Sequence, residues 1–212
     1  MPVMIPKGKA SGFISLVLSA LLLAIPQDGQ AAFNPNFIVS DRDFTNVYGM
    51  VGQSLQRFLN EQTGVLDTFV AEDVDGATKS AAEIILRVSS QFLLNPQAIL
   101  VMLQKEQSLV SDPNPSQNQL DWATGYGVCD GCSREDGAVA RFRGFAKQID
   151  SMAQQFRVGY LADLERTGKT QTGIGPGKTV LIDSVPVTPE NQATSALYTY
   201  TPHLEGNRNF WT

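Results

Sequence analysis

The sequence predicts a mostly α-helical domain with long loops and little β structure. Three observations lead there. Apolar residues recur at helical spacing in several windows, and helix-start signals stand directly before two of them. Between the windows lie stretches rich in Gly, Pro, Asn and Asp that read as loops. With 212 residues and 42% hydrophobic content, the chain can bury one core.

The N-terminus reads as a leader. Lys7 and Lys9 precede an apolar run, Phe13 to Ile25, of 13 residues, and Gly29-Gln30-Ala31 supplies small residues around one spacer. The run is short for a membrane span, which takes about 20 residues, so residues 1–31 read as a secretory signal peptide. An uncleaved anchor is the other reading of the same run. After removal of residues 1–31 no stable membrane span is expected.

Residues 32–48, "AFNPNFIVSDRDFTNVY", read as an irregular or extended arm on a domain covering 49–212. From Gly49, the residues Val51, Leu55, Phe58 and Leu59 share one side of a helix ending near Gly64. "VAEDVDGATK" reads as a loop, and its Asp73, Asp75 and Gly76 lack the ligand spacing of an EF-hand. Ser80 with Glu83 forms a capping box ahead of a stripe of Ala81, Ile84, Ile85, Val88 and Phe92. Asn95-Pro96 places an N-cap and a first-turn proline before a helix to about Val110, which "SDPNPS" stops. Residues 117–135 read as loops around a short turn. A long helix is expected from about Ala138 to Arg166, with Phe142, Phe145, Ile149, Met152, Phe156 and Tyr160 on one face. "VLIDSVPV" reads as a strand or extended segment, and Thr188-Pro189-Glu190 opens a last helix through about Tyr200. "TGIGPGKT" is one residue short of a P-loop, because Thr172 stands where the motif needs glycine. It also follows a helix instead of a strand, which sets nucleotide binding aside.

Composition excludes some functions. Of 16 basic and 21 acidic residues, Lys7, Lys9 and Asp28 lie in the leader, which leaves a net charge of −6. An acidic chain without a basic tract is a poor partner for nucleic acid. Cys129 and Cys132, with His203 as the only histidine, cannot supply four zinc ligands, so neither metal nor cofactor is called for. In an exported chain the two cysteines read as a small local disulfide. A redox-active pair would open a helix after a strand, and "VCDGC" instead follows the loop-like "ATGYG".

One residue interrupts the apolar pattern. At about 100° per residue, Glu106 falls roughly 20° from Ile99, inside the arc of Met102, Leu103, Leu109 and Val110. An unpartnered buried carboxylate costs several kcal/mol. It is either paired, with Arg87, Arg141, Arg143 and Arg157 as candidates, or kept protonated by an apolar site, which is how a general acid for glycoside cleavage is made.

"LNPQAILVMLQKEQSLVSDPNPSQNQLDWATGYGV" resembles the core of the lysozyme-like lytic transglycosylases. In that family a glutamate near a helix end, followed by serine, is the sole acid/base, and a glycine-rich loop of the Gly-Leu-Met-Gln type follows. The resemblance implies a lysozyme-like fold, peptidoglycan or a related glycan as partner, and Glu106 as the catalytic group. It implies that the cleft loop is Ala123 to Val128, with Gly125, Tyr126 and Gly127 toward substrate. It also brings the helix carrying Tyr198 and Tyr200 to the same cleft. Gln107 follows Glu106 directly, and Tyr126-Gly127-Val128 stands where the family has Leu-Met-Gln. A backbone role for Gly125 and Gly127 survives these departures, and a role for the loop glutamine does not. Asp121 and Asp130 are the sequence candidates for a second carboxylate, and both read more simply as loop or cap residues. Trp122 reads as a loop anchor and His203 as a surface residue.

From Phe33 to Trp211 the chain also resembles a group of exported bacterial proteins sharing "NPNFIVSD", "LQKEQSL", "DWATGYGVCD" and "NQATSALYTYTPH". The expected location is periplasmic or extracellular, at the cell wall. The expected activity is glycan-strand cleavage. The alternative is a glycan-binding module that keeps the fold without the reaction.

Overall fold

The computed structural model describes residues 32–129 and 131–212. The expected leader and Asp130 lie outside the described residues. Residues 33–212 form one compact unit with its own core. The architecture is mostly helical, with two small hairpins.

The chain begins with α1 (Asp41–Thr45) and α2 (Gly52–Glu61), then a 3-10 turn at Val65–Asp67. Hairpin β1 (Val70–Glu72) and β2 (Thr78–Ser80) pairs antiparallel, with Ala71 opposite Lys79. It leads into α3 (Ala81–Phe92) and α4 (Pro96–Gln107). The short helices α5 (Gln117–Asp121) and α6 (Gly137–Ala140) flank the cysteine loop. Helix α7 (Phe145–Gln154) runs through a π-helical stretch, Gln155–Leu161, into α8 (Ala162–Thr167). A second antiparallel hairpin, β3 (Val180–Ile182) and β4 (Val185–Val187), precedes α9 (Gln192–Tyr200) and α10 (Leu204–Trp211).

Helices α3 and α4 start where the local signals put them. The Ser80 hydroxyl accepts from the Glu83 amide, and Glu83 Oε2 accepts from the Ser80 amide at 2.8 Å. The Asn95 side chain accepts from the Gln97 amide at 2.9 Å, with Pro96 as the first helical residue. The stripe Ala81, Ile84, Ile85 and Val88 is fully buried in the same core as Ile149, Met152 and Ala153 of α7, on which α3 packs.

Four local expectations are corrected. The segment 32–48 is not wholly irregular, because Ser40 caps α1 by accepting from the Asp43 amide at 3.0 Å. "VAEDVDGATK" contains the first hairpin, held where Lys79 Nζ meets Asp73 and Asp75 at 2.7 and 2.6 Å. The long helix expected from Ala138 is broken between Ala140 and Phe145, where Gly144 takes φ 117° and its amide donates to the Asp121 carbonyl at 2.9 Å. The last helix starts at Gln192 with Asn191 as its cap, and α10 follows it.

The N-terminal segment is laced to the start of α9. Thr194 Oγ1 accepts from the Ile38 amide at 3.0 Å, and Asn191 Nδ2 donates to the Val39 carbonyl at 2.7 Å. Among the described residues no helix is long and apolar enough to cross a membrane.

Candidate functional site

Glu106 stands in the last turn of α4. Ser108 ends that helix in the left-handed region (φ 58°), with its amide on the carbonyls of Leu103 and Gln104. The helix stop leaves the Glu106 side chain 26% exposed, although its position lies on the apolar arc. It opens into a pocket of about 410 Å³ lined by Thr124, Gly125, Val128, Tyr200, Thr201 and His203, with Lys105 alongside.

None of the four arginines offered by the sequence pairs with Glu106. Arg87 binds Asp73 and Asp150, Arg143 binds Glu135 and Arg157 reaches Glu165. The guanidinium of Arg141 lies over the Phe142 ring. The partner is instead the adjacent Lys105, whose ammonium lies 2.5 Å from Glu106 Oε1 and donates to Thr201 Oγ1 at 2.8 Å. Successive helix residues point about 100° apart, so the wheel gave no sign of this pair. The long lysine stem is 5% exposed and bends back to the carboxylate.

The cleft loop is built by α7. Gln148 is fully buried, and its side chain joins the loop to Phe142. Its Oε1 accepts from the Tyr126 amide at 2.9 Å and from the Thr124 amide at 3.3 Å. Its Nε2 donates to the carbonyls of Tyr126 and Phe142 at 3.0 and 2.9 Å. Gly125 and Gly127 have φ of 67° and 75°, a region L side chains rarely adopt. At Gly127 a Cβ would also lie 2.6 Å from the Phe142 ring. At Gly125 it would lie 3.5 Å from Glu106 Oε2, an ordinary contact that places the Gly125 backbone beside the carboxylate.

The two tyrosines of α9 part company. Tyr200 stacks on Phe156 at 5.0 Å and donates to the Thr124 carbonyl at 2.9 Å. Burial first, and the Glu106 carboxylate second, push its hydroxyl pKa far up, so it acts as a neutral donor. Tyr198, two residues earlier, faces the interior and donates to the Pro35 carbonyl at 2.9 Å. Burial pushes its hydroxyl pKa up to about 12. It lines neither cavity at the cleft loop and ties the N-terminal segment to α9.

Tyr126 packs edge-on against Phe142 at 4.9 Å and belongs to a second cavity of about 410 Å³. That cavity shares Gly125, Val128 and Tyr200 with the Glu106 pocket. Cys129 and Cys132 form a disulfide, Cα–Cα 5.1 Å, directly after Val128. Trp122 is buried beneath Arg134 and Arg143, as befits an anchor. Asp121 lines a different cavity, and its carboxylate accepts from Gln117 Nε2 at 2.9 Å.

Lys105 and Gln148 were not anticipated, whereas His203 is exposed, as expected of a surface residue, and stands at the site. It lines the Glu106 pocket, with Nδ1 2.9 Å from Asp183 Oδ1. Asp183 and Ser184 form the tight turn between β3 and β4, both with positive φ. The Leu204 amide first, and His203 second, hold the Asp183 carboxyl below its usual range. The placement of His203 three residues after Tyr200 was the available signal.

No curated protein and no solved structure matches the chain. The family described as "LasA, N-terminal domain" matches residues 37–200, which include Glu106, the Gly125 loop and Tyr200 and end just before Thr201 and His203 of the same pocket. The chain belongs to the LasA N-terminal domain family.

Proposed function

We propose that this domain cleaves the glycan strand of peptidoglycan, with Glu106 as its single general acid/base. One observation carries the reading. Glu106 lines an open pocket together with Gly125 and Tyr200, with Oε2 beside the Gly125 backbone and Oε1 paired with Lys105. Among the described residues no other carboxylate lines this pocket or the adjoining one. A single carboxylate suits the route in which one group acts twice. Inversion by water would call for a second carboxylate about 6.5–9.5 Å away.

In this mechanism a proton on Glu106 passes to the glycosidic oxygen between N-acetylmuramic acid and N-acetylglucosamine. The bond from muramoyl C1 to that oxygen breaks, and N-acetylglucosamine leaves with the proton as its 4-hydroxyl. The Glu106 carboxylate then takes the proton of the muramoyl 6-hydroxyl as its oxygen closes on C1, giving a 1,6-anhydro end. Water in place of the 6-hydroxyl gives a reducing end. The sequence resemblance to lysozyme-like lytic transglycosylases supports the glutamate assignment. The disulfide beside the loop suits an exported protein at the cell wall.

The contact of Lys105 with Oε1 favours a second reading, a glycan-binding module without turnover, because the ammonium occupies half of the carboxylate. Incubating residues 32–212 with purified sacculi separates the two. The enzyme reading expects soluble muropeptides with anhydro or reducing muramic ends. Protein retained on sacculi that lose no material supports the module.

A further inference from the structure

We propose that Arg141 forms a carboxylate-binding subsite beside the Glu106 pocket, so that the domain selects carboxylate-bearing muramyl glycan over neutral N-acetylglucosamine polymers. The inference rests on the glycan reading above and specifies its substrate class. The second cavity shares Gly125, Val128 and Tyr200 with the Glu106 pocket, so a polymer with its scissile bond at Glu106 places a neighbouring unit there. Arg141 is the one charged side chain lining that cavity among the described residues. A lone cation in a chain of net charge −5 runs against the overall sign.

The Arg141 side chain is exposed, and its guanidinium rests on the Phe142 ring. Arg141 follows α6 directly, which Asp136 caps by accepting from the Ala138 amide at 2.8 Å. Its guanidinium carbon lies 4.5 Å from the centre of the Phe142 ring, and that ring is fixed by Tyr126 and by the close approach of Gly127. Stacking on an aromatic face leaves the edges of the fork free for a planar anion, and a carboxylate fits that fork in bidentate fashion. Among the described residues Arg141 has no carboxylate partner within 4.0 Å, as also holds for Arg42, Arg57, Arg134 and Arg208, but of these Arg141 alone lines this cavity. The remaining lining suits a polar polymer. Gln155 and Tyr160 stand five residues apart in the π-helical stretch, a spacing that returns to one face there, and Gln171 adds another amide.

Muramyl glycan offers a carboxylate from two sources, the stem peptide or the lactyl group once the peptide is removed. The test uses the Glu106→Gln protein, residues 32–212, with and without Arg141→Gln. Binding is measured to peptidated strands, to amidase-stripped strands and to chitin hexaose, with melting curves to verify that both proteins fold. Arg141→Gln is expected to weaken binding of at least one carboxylate strand about tenfold, as the loss of a charge-assisted pair implies. It leaves chitin hexaose unchanged, and Arg141→Lys recovers only part of the loss. A loss confined to peptidated strands places the carboxylate on the stem, and one confined to stripped strands places it on the lactyl group. Equal binding of all three probes by both proteins, or an equal loss for all three, overturns the subsite and leaves the glycan reading standing. No binding of any glycan by the Glu106→Gln protein overturns both.

Discussion

Lys105 and Glu106 are neighbours whose side chains leave the helix in different directions, yet they meet at 2.5 Å. The bond from Lys105 to Thr201 explains why, since it anchors the ammonium on the chain just after Tyr200. Under the proposed function Lys105 is a positioning residue, and Oε2 is the oxygen left to work. Lys105→Met is expected to lower the rate of glycan cleavage by about tenfold or more, because a mispositioned acid loses the geometry that makes it effective. The fold should survive, since Glu106 still reaches solvent, and circular dichroism alongside the assay checks this. Tyr200→Phe removes only the hydrogen bond to the Thr124 carbonyl and is expected to cost about 1 kcal/mol of stability, read by denaturant unfolding. At this scale the sequence showed Glu106, because periodicity marks a carboxylate on an apolar arc. It hid Lys105, because the wheel records where a side chain starts and not where a flexible stem ends.

Gln148 plays the same part for a whole element. One buried amide holds the backbone of Thr124, Tyr126 and Phe142, so helix α7 sets the shape of the loop across from Glu106. The loop itself carries no glutamine, and Gln148 on α7 ties it down from outside. Gln148→Ala strands several buried donors and acceptors. It is expected to destabilise the domain by about 3 kcal/mol, a fall in Tm of roughly 10 °C, with glycan cleavage falling even below the melting range. Unchanged cleavage at low temperature would count against a role of the loop in the site. The helices were legible where the cue was local, as with Ser80 and Glu83 or Asn95 and Pro96. The break before α7 was not, because Phe142 within it and Phe145 just after it keep the helical spacing. The bond between the Gly144 amide and the Asp121 carbonyl, which helps fix the break, is tertiary.

Across the molecule, Asp73 joins the first hairpin, α3 and α7. Its carboxylate is fully buried between Lys79 and Arg87, and Arg87 continues to Asp150 at 2.7 Å. Burial alone would raise the Asp73 carboxyl, but hydrogen bonds from Lys79 and Arg87 hold it below its ordinary value of 3.8. A depressed carboxylate stabilises the fold above its unfolded value and stops doing so as pH falls through the folded one. Thermal stability is therefore expected to drop as pH falls below 3.8. Asp73→Asn is expected to lose about 3 kcal/mol at neutral pH and to show a shallower fall in acid, both measured by melting curves. The sequence offered Asp73 and Asp75 as a failed calcium loop. Their use became visible only when the hairpin and α3 brought Lys79 and Arg87 to them. The helical class was readable from periodicity alone, whereas the tie from the N-terminal segment to α9, through Asn191, Thr194 and Tyr198, joins residues more than 150 positions apart.

The most direct test of the central claim is the release of soluble muropeptides from sacculi by residues 32–212, wild type against Glu106→Gln. Loss of a general acid/base is expected to slow release by about 10²–10⁴-fold, with the melting curve unchanged. Equal release by the two proteins, or none by either, contradicts the claim that Glu106 performs the reaction.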